Sequence, residues 1–202
     1  MEIPQEAFID IIAELIRKPI EVNKYRNKSG IGRSQAFGVV NKRCLPPDYS
    51  RQNWLRPLLY KHLLDFGDKF VKDISWNAIT VNQNYKAGPH RDKQNGGESF
   101  LVAFGNFSGG QLKIYEGDLS GCHDICYKPI TTDFSKVLHS VEDFEGERYS
   151  LVYYKYNLRG VELPPASVRW MENIGWQFFR GEERITAAEG LPHPLRKNNL
   201  KL

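Results

Sequence analysis

No run of apolar residues in this 202-residue chain approaches the roughly 20 that a helix needs to cross a bilayer. The opening Met1-Glu2-Ile3-Pro4 also lacks the basic-then-apolar layout of a secretory signal. The expectation is a soluble, intracellular protein with no membrane partner, nuclear or cytoplasmic placement left open. Cysteine is scarce and odd in number, with only Cys44, Cys122 and Cys126, so free thiols are expected rather than a disulfide framework. The stretch Cys122-His123-Asp124-Ile125-Cys126 lacks a second ligand pair at finger-like spacing, which argues against zinc there. Internal repeats, low-complexity tracts and a convincing linker are absent too. Length therefore favours a single domain over residues 1–202.

What is present suffices for one sizeable core: 41% of residues are hydrophobic and 12% aromatic. The formal charge of +4 is unevenly placed. Between Arg17 and Arg43, eight basic residues face a single acid, Glu21, and the stretch from His193 to Leu202 adds Arg196, Lys197 and Lys201 with no acid. Phe8, Ile11, Ile12, Leu15 and Ile16 recur at helical spacing between Pro4 and Pro19, predicting a helix over residues 5–17. Leu58, Leu59, Leu63, Phe66 and Phe70 predict a second helix, with Pro57 where a first turn tolerates it. A short strand is expected at Phe37 to Val40.

After Asp73 the pattern changes to short β-rich runs: Ile79 to Tyr85, Phe100 to Phe104, Gln111 to Tyr115, Ile125 to Lys128, Lys136 to Leu138 and Tyr149 to Tyr156. Such spacing predicts a sandwich or jelly roll. Met171, Ile174, Gly175, Phe178 and Phe179 suit one face of a closing helix after Pro164-Pro165. The expected organisation is an N-terminal helical and basic region (1–76), a jelly-roll core (77–157) and a C-terminal helix with a basic tail (158–202).

His90-Arg91-Asp92 follows a strand and a Gly88-Pro89 turn, so two metal-ligating side chains stand two residues apart on extended chain and point the same way. His139 follows the apolar pair Val137-Leu138 and falls at a strand end. Two histidines and one carboxylate form a facial triad that leaves adjacent positions open on a non-haem iron. A lone His-x-Asp arises often by chance, and the case strengthens at Arg148. An arginine entering the apolar strand Leu151 to Tyr154 needs an anion, and a carboxylate held by both arms of the guanidinium is the natural partner. Ser150 lies on the same face and can donate to it.

Taken together, these positions resemble the Fe(II)- and 2-oxoglutarate-dependent dioxygenase superfamily: His-x-Asp, a distal His, then Arg-x-Ser. The resemblance covers residues 77–157 and implies a double-stranded β-helix core, mainly β with flanking helices. It also implies a dioxygenase that uses Fe(II), 2-oxoglutarate and O2, with His90, Asp92 and His139 on the metal and Arg148 and Ser150 on the co-substrate's far carboxylate. The words Gly88-Pro89-His90-Arg91-Asp92-Lys93-Gln94-Asn95, Phe104-Gly105-Asn106-Phe107-Ser108-Gly109-Gly110-Gln111-Leu112 and Gly32-Arg33-Ser34-Gln35-Ala36-Phe37-Gly38 are similar to the TET and J-binding-protein branch, which modifies nucleic acid. A Gly-Gly-x-Leu turn also occurs in prolyl hydroxylase relatives. The repair enzymes of the superfamily carry Asn-x-Tyr before the metal motif, where this chain has Asn82-Gln83-Asn84-Tyr85.

Strict alternation places Thr80, Asn82 and Asn84 on one strand face. Asn82 and Asn84 are then candidates for contacting 2-oxoglutarate or substrate, or else they satisfy buried backbone groups. Gly109-Gly110 are read as a hairpin turn. Charge placement and the branch resemblance favour a DNA partner, with Lys28, Arg33, Arg91 and Asn95 as candidate contacts and the methyl group of 5-methylcytosine as the oxidised position. The rivals are a protein hydroxylase and a catalytically silent jelly-roll binding module; no protein partner is inferred.

Overall fold

The computed structural model describes residues 2–21, 30–40, 47–156, 158, 178–180 and 183–185. A 3-10 turn, Gln5–Phe8, leads into α1 (Ile9–Arg17), and the first expected helix is thus tightened at its start. A short α2 (Gln52–Leu55) precedes α3 (Pro57–Phe70), which has its proline in the first turn as expected. No helix of the described residues is long and apolar enough to cross a membrane.

The strands are β1 (Gly30–Val40), β2 (Asp48–Tyr49), β3 (Ala78–Ala87), β4 (Asn95–Gly109), β5 (Leu112–Ile114), β6 (Gly121–His123), β7 (Ile130–Thr132), β8 (His139–Val141) and β9 (Phe144–Tyr156). Two further short strands, β10 (Phe178–Arg180) and β11 (Glu183–Ile185), pair with each other. Phe178 and Phe179 therefore stand on a strand, not on the expected closing helix; the rest of that helix lies outside the described residues.

A six-stranded antiparallel sheet in the order β2-β1-β3-β9-β4-β7 faces a three-stranded sheet in the order β6-β5-β8. This is the jelly-roll core that the strand spacing predicted. β1 and β2, which precede residue 77 in sequence, complete the large sheet.

Period-two alternation along β9 separates two environments. Tyr149, Leu151 and Tyr153 belong to the core under the helices, whereas Arg148, Ser150 and Val152 line the cavity. On the helix side Phe8 stacks on Phe104 at 4.5 Å between ring centroids and meets Phe66 at 5.0 Å. Fully burying each such side chain contributes about 1.5–3 kcal/mol. The Tyr153 hydroxyl, carried into this core, donates to the Leu63 carbonyl at 2.6 Å and so leaves no orphaned polar group. Buried Arg56 donates to the Glu14 and Lys18 carbonyls at the end of α1 and to Gln35 Oε1 on β1, tying helix to sheet. Trp76 is core as well.

Candidate metal and co-substrate site

His90 and Asp92 leave β3 through a turn, while His139 opens β8. The backbone itself brings them together. His90 N–H donates to the His139 carbonyl at 2.9 Å, His139 N–H returns the bond at 3.0 Å, and Asp92 N–H reaches the Phe134 carbonyl at 2.9 Å. The His-x-Asp segment is thus held against β8 by reciprocal ladder bonds. The two imidazoles lie 4.3 Å apart, His90 Nε2 is 3.5 Å from Asp92 Oδ1, and one ligand atom from each of the three residues falls within 4.8 Å of the others.

Among the described residues this is the cluster able to hold a metal ion. Each histidine Nδ1 faces a carbonyl, Gly88 O at 2.8 Å for His90 and Val137 O at 3.2 Å for His139. A carbonyl only accepts, so Nδ1 carries the hydrogen and Nε2 keeps the lone pair that a metal needs. Burial, then the neighbouring His90, hold His139 below the usual histidine pKa and favour its neutral, ligating form. The donor set of two neutral imidazoles and one carboxylate fits a non-haem Fe(II).

Arg148 is 2% exposed, and burial pushes its pKa down to about 10. Its guanidinium lies between the rings of Phe107 and Phe144, 5.5 and 5.7 Å from their centroids, and Nε has no hydrogen-bond partner. Among the described residues no carboxylate pairs with it. Gly110, at φ 67°, leaves room for this side chain: a Cβ there would sit 2.8 Å from Arg148 Nε. The Gly109-Gly110 pair thus does more than turn the chain. Beside Arg148, Asn82 Nδ2 donates to Ser150 Oγ at 3.1 Å, leaving the serine hydroxyl hydrogen for another acceptor, and Asn82 Oδ1 is buried without a partner. An unpaired buried cation beside an unspent hydroxyl fits a carboxylate ligand. Arg148, Ser150, Asn82 and the metal cluster all line one cavity of about 1060 Å³.

Other expected contacts fall elsewhere. Asn84 takes φ 49°, a left-handed conformation that asparagine tolerates, and interrupts the alternation of β3. Its side chain leaves the cavity, and Oδ1 accepts from the Arg148 backbone N–H at 2.8 Å. Tyr85, expected on the far face, lines the cavity instead, so Asn82-Gln83-Asn84-Tyr85 places Asn82 and Tyr85 on one wall as an Asn-x-Tyr would. No local signal other than the turn-prone asparagine marks this. Arg91 ion-pairs with Glu116 and donates to the Lys136 carbonyl, so its charge is engaged within the protein. Asn95 donates to Ser99 Oγ at 3.0 Å and Asp92 Oδ2 at 3.5 Å, buttressing the Asp92 carboxylate. Arg33 is exposed on β1; Lys28 and most of the basic segment lie outside the described residues.

No protein-family profile and no curated protein sequence matches the chain. Solved structures do. The chain is similar to NgTET1 in complex with 5mC DNA, with a TM-score of 0.55 and 14% identity over 80% of this chain and 72% of that one. It is also similar to a prolyl hydroxylase from Trichoplax adhaerens in complex with a hypoxia inducible factor peptide fragment, with a TM-score of 0.51 and 12% identity over 77% and 79% of the two chains. The likeness is one of fold: this chain shares the jelly roll of the NgTET1 and prolyl hydroxylase structures.

Proposed function

We propose that this protein is an Fe(II)- and 2-oxoglutarate-dependent dioxygenase that hydroxylates a C–H bond. The observation that carries the reading is one cavity shared by the His90, Asp92 and His139 cluster and an unpaired, buried Arg148. Iron with 2-oxoglutarate and O2 supplies, when bound, oxidation of an unactivated C–H bond, the co-substrate leaving as succinate and carbon dioxide. The chain's own residues hold and orient. His90, Asp92 and His139 would hold the metal, with Asp92 contributing the single negative charge. Arg148 would receive the far carboxylate through its fork, with the Ser150 hydroxyl donating beside it. The flanking Phe107 and Phe144 rings exclude water from that end and strengthen the contact.

For substrate we propose a methylated base, foremost 5-methylcytosine in DNA. The support is the set of TET-like sequence words, the basic residues crowded between Arg17 and Arg43, and the likeness to a TET fold bound to 5mC DNA. A cavity of about 1060 Å³ has room for a base turned out of the duplex, the step such chemistry requires. With Arg91 and Asn95 engaged internally, Arg33 and Lys28 carry the proposed phosphate contacts. A protein hydroxylase is the second reading, favoured by the likeness to a peptide-bound prolyl hydroxylase. The test incubates iron-loaded protein and 2-oxoglutarate with methylated duplex, unmethylated duplex and proline-containing peptides, then weighs nucleosides and peptides. Oxidised methylcytosine is the expected product; a hydroxylated peptide with no oxidised base replaces the DNA reading.

A further inference from the structure

We infer that Glu116 is a positioning residue that sets the angle between the two halves of the metal site, an inference that rests on the dioxygenase reading above. Its Oε1 accepts two hydrogen bonds at once. One comes from Arg91 Nη2 at 2.5 Å, the other from the Leu138 backbone N–H at 2.6 Å. Arg91 stands between the ligands His90 and Asp92, and Leu138 immediately precedes the third ligand, His139. One carboxylate oxygen thus spans both ligand-bearing segments from behind. Arg91 Nε adds a bond to the Lys136 carbonyl at 3.0 Å, on the same stretch that leads into β8.

Exposed ion pairs alone are worth little to fold stability, and both partners are partly open to water, 38% exposed for Arg91 and 43% for Glu116. Their effect is therefore sought in ligation, where groups behind metal ligands typically change affinity by about 10- to 100-fold. The geometry also separates the partners' roles. Removing Arg91 leaves the Glu116 bond to the Leu138 N–H in place, whereas removing Glu116 takes the acceptor from that N–H and leaves Arg91 only its bond to the Lys136 carbonyl.

Purified full-length protein is titrated with Co(II), which reports both affinity and, through its visible spectrum, ligand geometry. Wild-type protein should bind one equivalent; failure to bind overturns the dioxygenase reading itself, and this inference with it. Glu116→Ala should weaken Co(II) by about tenfold or more and alter the spectrum, with its melting temperature lowered by only a few degrees. Glu116→Gln keeps an acceptor at Oε1 and should recover most of the loss. Arg91→Ala should also weaken Co(II), and the loss in the double variant should fall short of the sum of the two single losses, because the pair shares one contact while Arg91 alone holds the Lys136 carbonyl. If Glu116→Ala binds Co(II) as wild type does with the same spectrum, the pair is a surface ion pair and the inference fails. Should Glu116→Ala not fold, Arg91→Ala decides: unchanged Co(II) affinity and spectrum overturn the inference, and a weakened, shifted site supports it.

Discussion

Arg148 is a guanidinium kept from water without a counter-ion, a costly arrangement that an anionic ligand relieves. Replacing it by methionine, which fills similar space between Phe107 and Phe144, should leave the ligand-free protein as stable or more so. The same change should abolish the rise in melting temperature expected of the wild-type protein on adding 2-oxoglutarate. Arg148→Lys should keep that stabilisation only in part, with co-substrate affinity down about tenfold and metal affinity unchanged, because an ammonium lacks the fork. Thermal melts with and without 2-oxoglutarate check both variants, and equal ligand shifts in all three proteins would remove Arg148 from the site. At this scale the convergence of His90, Asp92 and His139 was legible because His, Asp and an in-strand Arg have few reasons to occur together. Arg91 and Asn95 were not, since a charge or an amide beside a ligand looks the same whether it turns toward substrate or back into the protein. Only the positions of Glu116 and Ser99 separate those cases.

Elements were readable where one face is apolar and unreadable where hydrogen bonds decide. The helices α1 and α3 and the strands β3 and β9 followed from period alone. The strand expected at Lys136 to Leu138 instead begins at His139, because Val137 N–H is taken by the Asp133 carbonyl and Leu138 N–H by Glu116. Ile125 to Lys128 makes a single parallel bridge, Ala103 to Cys126, rather than a strand. Close approach is equally invisible in sequence. Gly67 of α3 lies so near the sheet that a Cβ would be 2.6 Å from Trp76 Cζ2 and 2.8 Å from Tyr153 Cε1. Helix propensity favours alanine there by about 1 kcal/mol, while overpacking costs about 1–3 kcal/mol. Gly67→Ala should therefore destabilise the protein in urea titration; a gain in stability would mean that α3 can lift off without cost.

For the molecule as a whole, the two sheets divide the work. The large sheet carries Arg148 and Ser150 on β9 and, on its other face, the aromatic core beneath the helices; the small sheet contributes His139. A jelly roll followed from strand spacing, whereas the place where the sheets meet did not, because it is made by a rung outside any long strand. The reciprocal backbone bonds between His90 and His139 belong to the polypeptide and not to the metal. Their consequence lies in time rather than geometry. In protein stripped by a chelator, the amide protons of His90 and His139 should still exchange with deuterated water far more slowly than those of an open loop. Refilling with metal should slow them only slightly further, and added metal should enter within the mixing time of a stopped-flow experiment, without a folding phase. Rapid exchange at both amides in the stripped protein would instead make the ion, and not the rung, what joins the two sheets.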